Sequence, residues 1–112
     1  MKIIKTKIDK IEEFRIDYLN SLPEFQELFL ELMISNSEAY LLQIDNKDIG
    51  YAIVNNDHIL IEFYVINRYI SSSYDIFNQA VNELSINEIY CKSFDSLLLS
   101  NCILSSFSYS VV

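Results

Sequence analysis

Residues 62–77 read EFYVINRYISSSYDIF. The stretch opens as an apolar strand carrying a single acid, Glu62, and passes through three consecutive serines. Ile76 and Phe77 then begin an apolar spacing that continues at Ala80, Val81 and Leu84, the period of one helix face. A strand that runs through a short polar loop into a helix is the layout proteins use to hold a phosphate at a helix N-terminus. Ser72 with Asp75 three residues on has the spacing of a cap for that helix. The stretch holds no glycine, so the layout comes without the bare backbone that usually lets a ligand approach.

Upstream of it the segments Tyr40–Ile44, Ile49–Val54 and Ile59–Ile66 are rich in Ile, Val, Tyr and Phe. The polar turns Asp45-Asn46-Lys47 and Asn55-Asn56-Asp57 separate them, which predicts an antiparallel meander. Its third strand is almost continuously apolar, as a central strand covered on both faces requires. Downstream, Asn87–Lys92 reads as a short strand, so Ile59 to Lys92 forms a strand, helix and parallel strand crossover. Asp95 opens an apolar helix through Leu97, Leu98 and Cys102 to about Leu104, and the closing SYSVV starts as if it were another strand. At the other end, Lys2–Ile8 alternates weakly and predicts a first strand, and Asp9 with Glu12 has the form of a capping box. Ile11, Phe14 and Tyr18 share one face of the helix it opens. Ser21 and Glu24 repeat the device around Pro23, ahead of an apolar stripe of Phe25, Leu28, Phe29, Leu32 and Met33.

A chain of 112 residues, half of them apolar and with eight Tyr and seven Phe, makes one domain with one core. Its formal charge of -8 and its bases gathered near the N-terminus exclude nucleic acid and anionic membrane as partners. No apolar run reaches membrane-spanning length, and the apolar core of MKIIKTKIDK is too short for a secretory signal, so a cytoplasmic protein is expected. Cys91 and Cys102 then stay reduced as small buried hydrophobes. With His58 they make no metal-ligand spacing, and His58, beside a turn, reads as a solvated turn residue.

The order strand, two helices, three-strand meander, helix, strand, helix resembles the GNAT superfamily of N-acetyltransferases over nearly the whole chain. The wording of 61–77 is similar to that family's fourth strand, loop and third helix, where the loop usually runs Q/R-x-x-G-x-G/A. Tyr69 matches the aromatic before the loop; Ile70 stands at the basic position, Ser73 at the first glycine and Asp75 at the second small residue. A distal N-x-x-A-x-x-x-Y followed by G-F is matched by Asp95, Leu98, Cys102, Ser106 and Phe107, only the last an identity. The resemblance implies a mixed α/β GNAT-like sheet whose closing C-terminal strands are incomplete, as a whole domain or as one half of a longer protein.

It also implies a chemistry, the transfer of an acetyl group from acetyl-CoA to a small-molecule or peptide amine. Glu62, expected on the side of the strand shared by Leu60, Tyr64 and Ile66, resembles the general base of some family members. A desolvated carboxylate there suits that task, and a hydrogen-bonded structural acid is the other reading. Val65 and Ile66 resemble the end of the split strand, whose main chain pairs with the pantetheine arm; ordinary sheet pairing is the alternative. Arg68 is placed to meet the adenosine phosphate or simply to be solvated. Ser71, Ser72, Ser73, Tyr74 and Asp75 form the altered diphosphate loop, the serines supplying hydroxyls or capping the helix. A carboxylate at Asp75 opposes a polyanionic ligand. The competing expectation is a GNAT-like interaction or scaffold domain without catalysis, which pairs an unsatisfied sheet edge with a second copy or a second GNAT-like half.

Overall fold

A computed structural model describes residues 1–21, 37–91, 101 and 109–111. The described elements run β1 (Lys2–Thr6), a 3-10 turn (Ile8–Ile11), α1 (Glu12–Ser21), β2 (Glu38–Ile44), β3 (Lys47–Val54) and β4 (Ile59–Val65). A second 3-10 turn (Asn67–Ser72), α2 (Ser73–Glu83), β5 (Glu88–Cys91) and β6 (Tyr109–Val111) follow. The helices expected over 21–33 and 95–104 fall outside the described residues, apart from Ser21, which ends α1, and a helical Asn101.

The strands form one six-stranded sheet in chain order. β1 to β4 pair antiparallel, and β4–β5 and β5–β6 pair parallel, so the crossover expected from Ile59 onward is present. The β2–β3 connection is the two-residue loop Asp45-Asn46, with φ of 53° and 63°, the doubly left-handed turn whose twist suits a hairpin. The next turn is held by the Asn55 side chain, which accepts hydrogen bonds from the amides of Asp57 and Ile59. His58 sits there at φ 60°, exposed.

Each face of the sheet carries its own core. α2 covers a cluster that includes Leu42, Ala52, Val54, Leu60, Phe63, Val65, Phe77 and Ile89, with Phe63 and Phe77 in edge-to-face contact at 5.6 Å between ring centres. On the other face Ile11 and Tyr18 meet Ala39, Tyr51, Ile53 and Ile61. β4 lies between the two clusters, which is why its sequence is apolar at nearly every position.

Two bulges modify this plan. Ile49 is the extra residue of β3 against β2, and Ile61 the extra residue of β4 against β3. The second one corrects an expectation. Because Ile61 consumes a pleat, Leu60 turns to the α2 face while Glu62 and Tyr64 face α1, and Ile66 also packs against the α2 cluster. Of the three expected caps, those at Asp9 and Ser72 are replaced as well, and the one at Ser21 and Glu24 reaches outside the described residues. The first helix begins in a 3-10 turn from Ile8, with Asp9 inside that turn and no side-chain bond at the cap. Ser72 precedes α2 with no side-chain bond either, and the preceding 3-10 turn satisfies the Ser73 amide through the Ile70 carbonyl.

Candidate functional site

The bulge at Ile61 has a second consequence. The β4–β5 ladder covers Ile59–Glu88 and Leu60–Ile89, whereas β5 continues to Cys91 beside β6. Among the described residues β4 therefore has no ladder partner on that side beyond Leu60. The Ile66 amide donates to the Ile49 carbonyl at 2.8 Å, on the β3 side. By strand alternation Tyr64 faces β3 too, and Phe63 and Val65 turn their main-chain N–H and C=O groups to the open side. Of the two main-chain positions nominated by the sequence, Val65 thus lines the opening. Ile66 is engaged at both groups, since its carbonyl also accepts from the Tyr69 amide.

Gly50, the chain's one glycine, sets how closely β3 approaches this strand end. It pairs with Val65, and a Cβ built on it would lie 1.9 Å from the Tyr64 carbonyl oxygen and 3.0 Å from the Val65 Cα. Only a residue without a side chain fits there.

Glu62 lies on the open stretch and is 0% exposed. Its carboxylate accepts from Arg15 Nε at 3.1 Å and Arg15 Nη2 at 3.2 Å, a two-pronged contact from α1. The Tyr51 hydroxyl, a diagonal neighbour on β3, donates to Glu62 Oε2 at 2.9 Å. Phe14, Tyr18, Tyr51 and Tyr64 stand around this group with ring centres 5.8–6.3 Å apart. Burial first, and then the Glu62 charge, hold the Tyr51 phenol well above its ordinary pKa, so the hydroxyl stays a donor. Burial, reinforced by Asp17, also raises Tyr64.

The turn that follows holds the other nominated residues. Arg68, Ser71, Ser72 and Asp75 are exposed, Tyr74 is half-buried, and Ser73 is buried, its amide already bonded to Ile70. Ile70 is 42% exposed where the family pattern has a basic residue. A cleft of about 490 Å³ opens elsewhere, at the start of α1, lined by Ile8, Asp9, Glu12, Arg15 and Ile16. Arg15 thus reaches from that cleft to the buried Glu62. Cys91 lies in β5, Cys102 is outside the described residues, and the described residues contain no group able to hold a metal ion. No described helix is long and apolar enough to cross a membrane.

Three positions here escaped the sequence reading: Arg15, Tyr51 and Gly50. A buried acid in an apolar strand calls for a counter-charge, but nothing in the spacing singles out Arg15, 47 residues away. Gly50 did carry a signal, as a solitary glycine inside a strand pattern.

Comparison with known proteins bears on the whole arrangement. A GNAT-family acetyltransferase from Colwellia psychrerythraea superposes with a TM-score of 0.69 at 15% identity, over 77% of this chain and 33% of that one. The chain thus spans about a third of that protein's length. The ribosomal-protein-alanine N-acetyltransferase of Brucella melitensis biovar Abortus 2308 matches at 14% identity and a TM-score of 0.41, over 80% of this chain and 78% of that one. No curated protein matches. The profile of the acetyltransferase (GNAT) domain matches residues 7–111, all but the extreme ends of the sequence, and with the mixed sheet, the parallel β4–β5 pair and its early parting, it establishes that the chain belongs to the GNAT acetyltransferase family.

Proposed function

We propose that the domain is a cytoplasmic N-acetyltransferase that takes acetyl-CoA along the open side of β4 and acetylates an amine on the α1 side of the sheet. The observation that carries this reading is the parting of β4 from β5 after Leu60, which leaves Phe63 and Val65 main-chain groups facing an extended ligand, with Glu62 on the same open stretch. Bound acetyl-CoA would supply the acetyl group as an activated thioester. Phe63 and Val65 would hold its amide-bearing arm as a strand is held, with Gly50 keeping β3 tight behind them. Glu62 would take a proton from the acceptor ammonium.

The turn fits the ligand's diphosphate end less well. The Ser73 amide is committed to Ile70, Asp75 puts a carboxylate in the first turn of α2, and binding there falls to Arg68 and the exposed Ser71 and Ser72 hydroxyls. Weak coenzyme binding follows. Calorimetric titration with acetyl-CoA and with CoA tests the reading, joined to an acetyl-transfer assay on small amines and peptide N-termini. Saturable binding at micromolar to millimolar coenzyme is expected, and heats indistinguishable from dilution would overturn it.

A second reading is supported by the occupancy of Glu62, which already faces a guanidinium and a phenol. On it the domain is a non-catalytic interaction module that pairs with a second copy or with a GNAT-like half. Coenzyme titration without heat, together with a concentration-dependent dimer in sedimentation, is the result that would favour it.

A further inference from the structure

We propose that Arg15 is a positioning residue that fills, in the free domain, the place of the acceptor ammonium: its guanidinium sits on Glu62 and yields to a cationic alkylamine entering through the cleft at the start of α1. What the amine does next rests on the acetyl-transfer reading; the exchange itself does not.

Glu62 is fully buried, and a buried carboxylate without a cation is strongly disfavoured. The site therefore tolerates replacement of one cation by another and rejects neutral or anionic acceptors. Arg15 is suited to be the outgoing partner because its side chain is 14% exposed and lines the cleft while its fork reaches Glu62. The cleft supplies both ends of the exchange. Ile8 and Ile16 offer an aliphatic wall for the body of an alkylamine. Asp9 and Glu12 offer carboxylates that draw in a cation and receive the displaced guanidinium, Glu12 lying one turn before Arg15 on the same helix. An ammonium is a compact three-donor charge, whereas the guanidinium is a planar fork, so the amine would hold one carboxylate oxygen where Arg15 holds both. The Tyr51 bond to Oε2 stays in place through the exchange and fixes the carboxylate's orientation.

The test uses the whole domain, with ethylammonium and ethylguanidinium chloride as probes. Arg15→Ala is expected to melt below the parent, and either probe at millimolar concentration is expected to restore several degrees of that loss, saturably and beyond the effect of sodium chloride at equal ionic strength. The parent should respond too, but more weakly, since there the probe must first displace Arg15, and Arg15→Ala/Glu62→Gln should lose the response. A folded Arg15→Ala that neither probe raises, or a double variant raised equally, overturns the proposal. Arg15→Lys keeps a cation on Glu62 with fewer donors and is the fallback if Arg15→Ala does not fold. It should bind butylammonium at least fivefold more tightly than the parent in an NMR titration, and equal affinities would sink the idea. Loss of coenzyme binding in calorimetry with intact rescue would remove the acetyl-transfer reading and leave the exchange standing.

Discussion

At the scale of single residues the buried polar contacts converge on Glu62, which the fold surrounds with Arg15 and Tyr51 and seals from water. Glu62→Gln removes the charge that the largely buried Arg15 fork faces and should destabilise the domain by roughly 3 kcal/mol in urea denaturation. Tyr51→Phe removes one bond to a charged acceptor and should cost about 1.5 kcal/mol. The same tyrosine sets an alkaline limit. Its folded pKa lies well above 10.0, chiefly through burial and then through Glu62, while the unfolded phenol loses its proton near that value. Its stabilising contribution is complete below that pH and is lost as the pH climbs from there toward the folded value. A stability profile should therefore fall above about pH 10, and Tyr51→Phe should flatten it. On the proposed reading, Asp75 also faces the diphosphate end of the coenzyme. Being exposed in the first turn of α2, Asp75→Asn should tighten acetyl-CoA binding by about threefold at low salt, with the gain shrinking as ionic strength rises.

At the scale of elements, backbone geometry decides outcomes that side-chain preference would misjudge. Replacing a glycine inside a strand ordinarily stabilises it, by relieving the chain entropy that glycine loses on folding. Gly50→Ala should do the reverse and cost about 3 kcal/mol or more in chemical denaturation, because its Cβ meets the rigid Tyr64 carbonyl at 1.9 Å. The end of α2 offers the opposite case. Ser85 has φ 53°, with its amide bonded to the Asn82 carbonyl and the Ile86 amide to Val81, the paired closure in which glycine is the favoured residue. Ser85→Gly should therefore stabilise the domain by about 1 kcal/mol, read as a higher melting temperature. β1, at one edge of the sheet, keeps Lys2 and Lys5 exposed, charges that discourage pairing with another chain.

At the scale of the whole molecule, sixteen acids against eight bases repel one another across a small volume. Moderate sodium chloride should raise the melting temperature by a few degrees, and a flat response between low and physiological salt would mean that the charges are already balanced in pairs. The sequence determined the order of elements, because each depends on local signals: alternation in the meander, helical spacing from Ile76 to Leu84, polar turns between. It also carried the strand, loop and helix of 62–77, and with it the family. What only the tertiary structure decided is which atoms meet. The bulge at Ile61 turns Glu62 toward α1 and away from Leu60, ends the β4–β5 ladder early, and opens Val65 rather than Ile66. Arg15 reaches Glu62 across 47 residues of chain, and the 3-10 turn before α2 takes up the Ser73 amide that a serine cap leaves free. The physical reason is one of range. Hydrophobic period and turn preference act over a few residues, whereas register, bulges and buried charge pairs are settled only when distant strands and helices compete for the same hydrogen bonds and the same dry space.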